Sequence, residues 1–334
     1  MPELRIYAQA DLAPLIAVRE GETKLGERIG LAVSLQEGLR SSAPFVILGL
    51  PEDIGVRANG GIGGAATAWP AFLKSFLNIQ ETAVLSGQDF LLLGALDFTG
   101  WMQECMHAEG PALRDMTSRI DEAVYPLIRE IVGAGKIPLV IGGGHNNAYP
   151  LLKGASLALR KPLHAVNLDA HSDFRRREGR HSGNGFRYAY EDGFLKKYAL
   201  LGLHEAYNGA AIVAELKGNP DLLPLFWDDI FMRKRISWEK ALAAALDFVG
   251  EDSFGTELDA DCIERALSSA ATPAGIAVQA ALDYLYQCGR SHRSIYLHLP
   301  EGVAERSDGQ QDIFTGKLLS YLVQAFAKGV KERS

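Results

Sequence analysis

The stretch HAVNLDAHSDFR, His164 to Arg175, begins as a strand and ends as a cluster of reactive groups. A strand-like run, His164–Leu168, leads straight into Asp169, His171 and Asp173, spaced two apart. In extended chain residues i, i+2 and i+4 face one side, so these three side chains can converge on a point. Alone, an Asp after a strand is most often a turn or helix cap. What surrounds the stretch decides between the two readings.

The same arrangement recurs elsewhere. Pro138–Ile141 is followed by Gly142-Gly143-Gly144-His145, and Ser253–Leu258 by Asp259-Ala260-Asp261. Further strand candidates are Phe45–Leu50, Phe90–Leu93, Tyr198–Leu203, Leu223–Trp227 and Ser294–Leu299. Amphipathic helical patterns lie between several of them. Met116–Val132 puts Ile120, Val124, Leu127, Ile128 and Ile131 on one stripe. Pro126 is expected to kink that helix or shift its start. Val278–Tyr286 and Thr315–Ala327 read as helices too. Strands alternating with helices over the whole length imply a mostly parallel sheet covered on both faces. No Pro/Gly/Ser-rich linker divides the chain, so residues 1–334 are expected to form a single α/β domain. In such folds ligands gather at the carboxyl ends of strands, where these Asp and His residues stand.

Composition narrows the function. The net charge of −7 argues against a polyanion-binding surface, so no nucleic-acid partner is expected. No apolar run approaches the roughly 20 residues of a membrane span, and the start, MPELRIYAQADLAPLI, lacks the pattern of a signal peptide. Cys105, Cys262 and Cys288 are odd in number and far apart, which fits neither a disulfide framework nor a zinc ribbon. A reduced, cytoplasmic setting is expected.

His145, Asp169, His171, Asp173, Asp259 and Asp261 together supply four carboxylates and two imidazoles. Packed together, four carboxylates repel one another and raise their own pKa values. Divalent cations remove that penalty. Oxygen-rich donors with imidazole and no thiolate favour manganese, with zinc, nickel, cobalt or iron as alternatives. Six ligands suit two ions, which activate water near neutral pH.

At this point the chain resembles the ureohydrolase superfamily of arginase, agmatinase and formimidoylglutamase. IGGGHN, NLDAHSDFR and TELDADCI resemble its metal-binding blocks. LGLPEDIGVRANGGIGGA (Leu48–Ala65), HSGNGF (His181–Phe186) and HLPEG (His298–Gly302) resemble its early glycine-rich segment, its outer-histidine segment and its late glutamate segment. The resemblance implies a three-layer α/β/α fold with an eight-stranded parallel sheet, two Mn2+ per chain and a homo-oligomer. It implies that His145 and Asp173 bind one ion, His171 and Asp261 the other, and that Asp169 and Asp259 bridge. By the same carry-over Asp173, His181 and Glu301 are catalytic: Asp173 relays a proton to the leaving amine, His181 shuttles protons near the mouth, and Glu301 holds a cationic amidine or guanidine.

Departures from the pattern bear on the substrate. Gly144 stands where arginases and agmatinases usually have Asp, as in formimidoylglutamase; Asn184-Gly185 replaces Thr-Pro; Glu257 replaces a small Ser; and His298 falls where Asp is common. Arg175, Arg176, Arg177, Arg180 and Arg187 crowd the segment around His181. Any one of them is more often simply solvated, but as a group they suit an acidic substrate. Arg180, Asn184, Arg187 and Glu301 are therefore expected to bind it. The function expected is hydrolysis of N-formimidoyl-L-glutamate to glutamate and formamide by metal-activated hydroxide. An agmatinase- or arginase-type guanidino hydrolase is the alternative within the class, and a non-catalytic regulatory or scaffold member the alternative outside it.

Overall fold

A computed structural model describes residues 1–333. All eight strand candidates form, within a residue or two of the expected ends for most: β2 (Phe45–Gly49), β3 (Phe90–Leu96), β4 (Ile137–Ile141), β5 (Leu163–Leu168), β6 (Leu195–Leu203), β7 (Leu222–Phe226), β8 (Phe254–Leu258) and β9 (Ser294–Leu299). The expectation of eight strands needs one correction. A short edge strand, β1 (Leu4–Ile6), pairs antiparallel with β3 and makes the sheet nine-stranded. Every other pairing is parallel, and the spatial order is β1-β3-β2-β4-β9-β8-β5-β6-β7.

Alternation along each strand sends neighbouring side chains to opposite layers. Phe45, Ile47, Leu139, Ile141, Val166 and Leu168 join one apolar core with helices Ala68–Phe76, Trp238–Val249, Val278–Arg290 and Thr315–Lys331. Val46, Leu48, Val140, Leu163 and Ala165 join the other, beneath helices Gly110–Gly133, Ala148–Leu159 and Gly185–Glu191. The result is the expected α/β/α sandwich. The helix through Pro126 starts at Gly110, earlier than its apolar stripe indicated, with Pro111 in its first turn and Pro126 inside it. The three cysteines are buried and free. Among the described residues no helix is long and apolar enough to cross a membrane.

The strand order positions the chemistry. β4, β9, β8 and β5 are adjacent at the centre of the sheet, and because they are parallel their carboxyl ends share one edge. His145 follows β4, Glu301 follows β9, Asp259 and Asp261 follow β8, and Asp169, His171 and Asp173 follow β5.

Candidate metal centre

Three backbone devices aim these side chains. After β4, Gly142 (φ +83°) and Gly143 (φ +75°) adopt conformations that disfavour any Cβ, and a Cβ on Gly143 would lie 2.5 Å from Asn147 Nδ2. Glu52, fully buried, accepts from Gly144 N (3.1 Å), Asn146 Nδ2 (3.1 Å) and Asn147 Nδ2 (2.8 Å), and so clamps the loop that carries His145. Asp173 (φ +45°) and Glu301 (φ +61°) sit in the left-handed region that non-glycine residues rarely visit, a strain typical of functional sites.

The six expected ligands form two groups that share one residue. His145 Nδ1 lies 2.9 Å from Asp173 Oδ2, 3.0 Å from Asp259 Oδ2 and 3.3 Å from Asp169 Oδ2. His171 Nδ1 lies 3.1 Å from Asp261 Oδ2 and 3.6 Å from Asp169 Oδ1. Asp169 thus reaches both groups through its two oxygens, while Asp259 stands with the His145 group and accepts Asp261 N–H at 2.8 Å. Each group has the donor set and compactness to hold an ion.

The electrostatics are those of a buried acidic cluster. Burial, followed by repulsion from Asp261 and Asp169, pushes Asp259 well up. Burial and Asp169 likewise raise Asp173, and burial raises Asp261 to about 6 against the pull of His171. Burial also raises Asp169, but bonds to His145 and His171 outweigh it and hold that carboxyl low. Burial disfavours charge on both imidazoles, yet the surrounding carboxylates lift His145 and His171 well above the ordinary range. Divalent cations would remove this penalty, and the donor chemistry fits such ions.

A cleft of about 490 Å³ opens onto the cluster, lined by His171, Asp173, Asp259, Asp261 and Glu301 on its floor. Glu301 Oε1 accepts the His145 backbone N–H at 3.0 Å. Burial and then Asp259 raise its carboxyl well above the usual range. Tyr207 stacks on the His171 ring at 5.2 Å, and Asn208 Oδ1 takes Ser172 N–H at 3.0 Å. Neither was foreseen, since no motif marks the segment after β6. Glu52 lay inside a quoted motif without a role.

The substrate-binding arginines are placed differently from expectation. Arg180 is buried beside the Gly110–Gly133 helix, where Asp121 takes two bonds (2.8 and 3.2 Å), Asn184 Oδ1 one (2.6 Å) and Asn146 O another (2.7 Å). Arg187 forms a two-bond pair with Glu215 (2.5 and 2.7 Å) and covers the Phe174 ring. Asn184 is buried on Arg180 and Gly179 O. None of the three lines the cleft; a buried guanidinium needs internal partners, and these have them. His181 is also fully buried, behind the cleft residues Ser182 and Gly183; Nε2 faces Glu178 at 3.2 Å, and burial together with Arg175 lowers its pKa to about 4. The cluster's cleft residue is Arg175. It is half exposed, with Nη1 donating to Asn59 Oδ1 at 2.9 Å and Nη2 3.2 Å from Glu178.

A model of the arginase family matches residues 43–301, most of the chain and the whole of this centre. The chain belongs to the arginase family. Among its curated relatives, the formimidoylglutamase of Aromatoleum aromaticum is 31% identical over 180 residues, covering 50% of this chain and 49% of the relative. That of Salmonella heidelberg is 28% identical over 227 residues, covering 66% and 64%. The matched part thus spans about half to just under two thirds of those relatives' lengths. Among solved structures, Trypanosoma cruzi formiminoglutamase with Mn2+ superposes with a TM-score of 0.74 at 19% identity, covering 94% of this chain and 100% of that one. Formimidoylglutamase from Bacillus subtilis gives 0.76 at 16%, covering 95% of each. These arginase-family structures share the three-layer fold.

Proposed function

We propose that this arginase-family chain hydrolyses N-formimidoyl-L-glutamate to L-glutamate and formamide, using two Mn2+ ions held by His145, Asp169, His171, Asp173, Asp259 and Asp261. The observation that carries the reading is the shared Asp169 between two ion-sized groups on the floor of a cleft whose wall presents Arg175. The formimidoylglutamase relatives support the substrate class, and the T. cruzi structure with Mn2+ supports the metal. Such ions, when bound, supply Lewis-acid activation of water near neutral pH.

The protein's own groups divide the remaining work. Glu301, on the cleft floor, accepts hydrogen bonds from the cationic formimidoyl group and orients its carbon. Arg175 pairs with a glutamate carboxylate at the wall. Asp173 carries a proton to the glutamate nitrogen as its bond to the formimidoyl carbon breaks. That carbon gains the water oxygen and leaves as formamide. Tyr207 fixes the His171 ring by stacking.

The test is a substrate panel on manganese-loaded protein: formimidoyl-glutamate, arginine, agmatine, guanidinobutyrate and guanidinopropionate. Two ions per chain and turnover of formimidoyl-glutamate above the guanidino compounds are expected. Less than one ion per chain, or no turnover of formimidoyl-glutamate, refutes the reading.

A further inference from the structure

One row below the metal centre, Val140, His298, Glu257 and Asn167 stand side by side across β4, β9, β8 and β5. Glu257 and His298 are fully buried there. Glu257 Oε1 accepts from Tyr296 O–H at 2.7 Å, and Oε2 lies 2.6 Å from His298 Nδ1. A carboxylate in a dry sheet is costly unless it is fully partnered, so its partners indicate its use.

The decisive contact is with His145. Four carboxylates lie within ion-pair reach of that ring. Asp169, Asp173 and Asp259 face Nδ1, whereas among the described residues Glu257 alone faces Nε2, at 3.4 Å. Nε2 is buried with no hydrogen-bond partner, and 3.4 Å is long for a bond. An imidazole that gives Nδ1 to an ion must keep its proton on Nε2, and that N–H needs an acceptor. We propose that Glu257 is a positioning residue that receives the Nε2–H of His145 and fixes the tautomer in which Nδ1 is free for metal, with His298 holding the Glu257 carboxylate in place. His145, Glu257 and His298 are also close enough to hold an ion of their own. However, an ion there would compete with the Tyr296 and His298 donors already bonded to Glu257, whereas a carboxylate oxygen keeps a second lone pair for an N–H, and His145 Nδ1 faces the aspartates.

The inference rests on the two-ion reading above, and its test separates the two. Mn2+ alone is titrated into the full chain and followed by electron paramagnetic resonance. Glu257→Leu is expected to weaken one of the two sites about 10–100-fold, and Glu257→Gln, which keeps an acceptor oxygen, to recover most of that loss. A purely structural role would instead lower the melting temperature of the metal-free protein and leave affinity unchanged. If Glu257→Leu does not fold, the unaltered protein answers alone: with Zn2+ bound, ¹H–¹⁵N spectra are expected to show the His145 Nε2–H shifted far downfield, as for an imidazole N–H bonded to a carboxylate. Unchanged Mn2+ affinity in Glu257→Leu, a His145 Nε2–H at the position of an unbonded imidazole N–H, or a third ion at His298 overturns the inference and spares the two-ion reading. Fewer than two ions in the unaltered chain overturns both.

Discussion

Replacing Arg180 with Ala should damage the fold and leave substrate affinity alone. Its guanidinium and the Asp121 carboxylate are both almost fully buried and joined by two hydrogen bonds, with Tyr149 and Tyr188 rings 4.9 Å from the guanidinium carbon. Removing one partner of such a pair leaves a buried charge uncompensated, at about 3–5 kcal/mol. With an unfolding entropy of about 2.1 cal/mol/K per residue over this chain, that is a fall in Tm of about 4–7 °C. The loss should depend on pH. Burial already holds Asp121 up at about 6 despite the pull of Arg180, and without Arg180 it rises further, against about 3.9 in the unfolded chain. An acid whose folded pKa is raised contributes stability at low pH and loses it as pH rises through the folded pKa. The deficit of the variant should therefore be largest at alkaline pH, shrink as pH falls towards about 6, and level off below it. Calorimetry of both proteins from about pH 8.5 down to about 5.5, with Michaelis constants taken at one temperature, gives both quantities. A raised KM with unchanged Tm, or a Tm deficit independent of pH, would refute the burial argument and return Arg180 to the substrate.

Arg175→Ala should do the opposite: KM for an acidic substrate rises about 10–100-fold, the worth of one charge-assisted bond, while Tm stays put because the side chain is half exposed. Equal KM values would remove it from the binding wall. Asp173→Asn should lower kcat by at least about 100-fold. The metal-free protein should melt no lower than the parent, since burial and Asp169 make a charged Asp173 unfavourable there; a lower Tm would contradict that. Mn2+ affinity should drop as pH falls from about 7 to about 5, because protons compete for Asp261, raised to about 6, and for Asp259, which burial and its acidic neighbours also raise. Titration calorimetry in buffers of different ionisation enthalpy should show proton release on binding, and a pH-independent affinity would contradict the scheme.

What the sequence disclosed follows from the range of the interactions involved. Central parallel strands are buried on both faces and read as apolar runs, and an Asp or His just past such a run has its direction set by local backbone geometry. Hence β4, β5 and β8 and their six Asp and His side chains were legible. β1 was not: three residues at an edge, with Arg5 exposed, carry no periodic signal. The arginines failed for a different reason. Whether a guanidinium reaches a cleft depends on who else claims it. The claimant of Arg180 lies 59 residues away and that of Arg187 28 residues away. Glu52 is the same case, with amide partners 92 to 95 residues distant.

The placement of Arg175 separates two selections that the sequence ran together. Under the proposed function, four aspartates balance two divalent ions, so the floor of the cleft is near neutral in charge. Glu301 then adds one negative charge there, which selects a cationic amidine or guanidine in general. The charge of that floor does not distinguish formimidoyl-glutamate from agmatine. The distinction falls to the wall, where the half-exposed Arg175 meets whatever the other end of the substrate carries. A carboxylate is drawn in, and the amine of agmatine is repelled. Removing Arg175 should therefore narrow the preference between these two substrates from both sides, through weaker binding of the acid and easier entry of the diamine. Neutralising Glu301 should weaken both substrates alike. Competition between formimidoyl-glutamate and agmatine in the two variants measures this directly, and an unchanged ratio of kcat/KM values in Arg175→Ala would show that the wall does not choose.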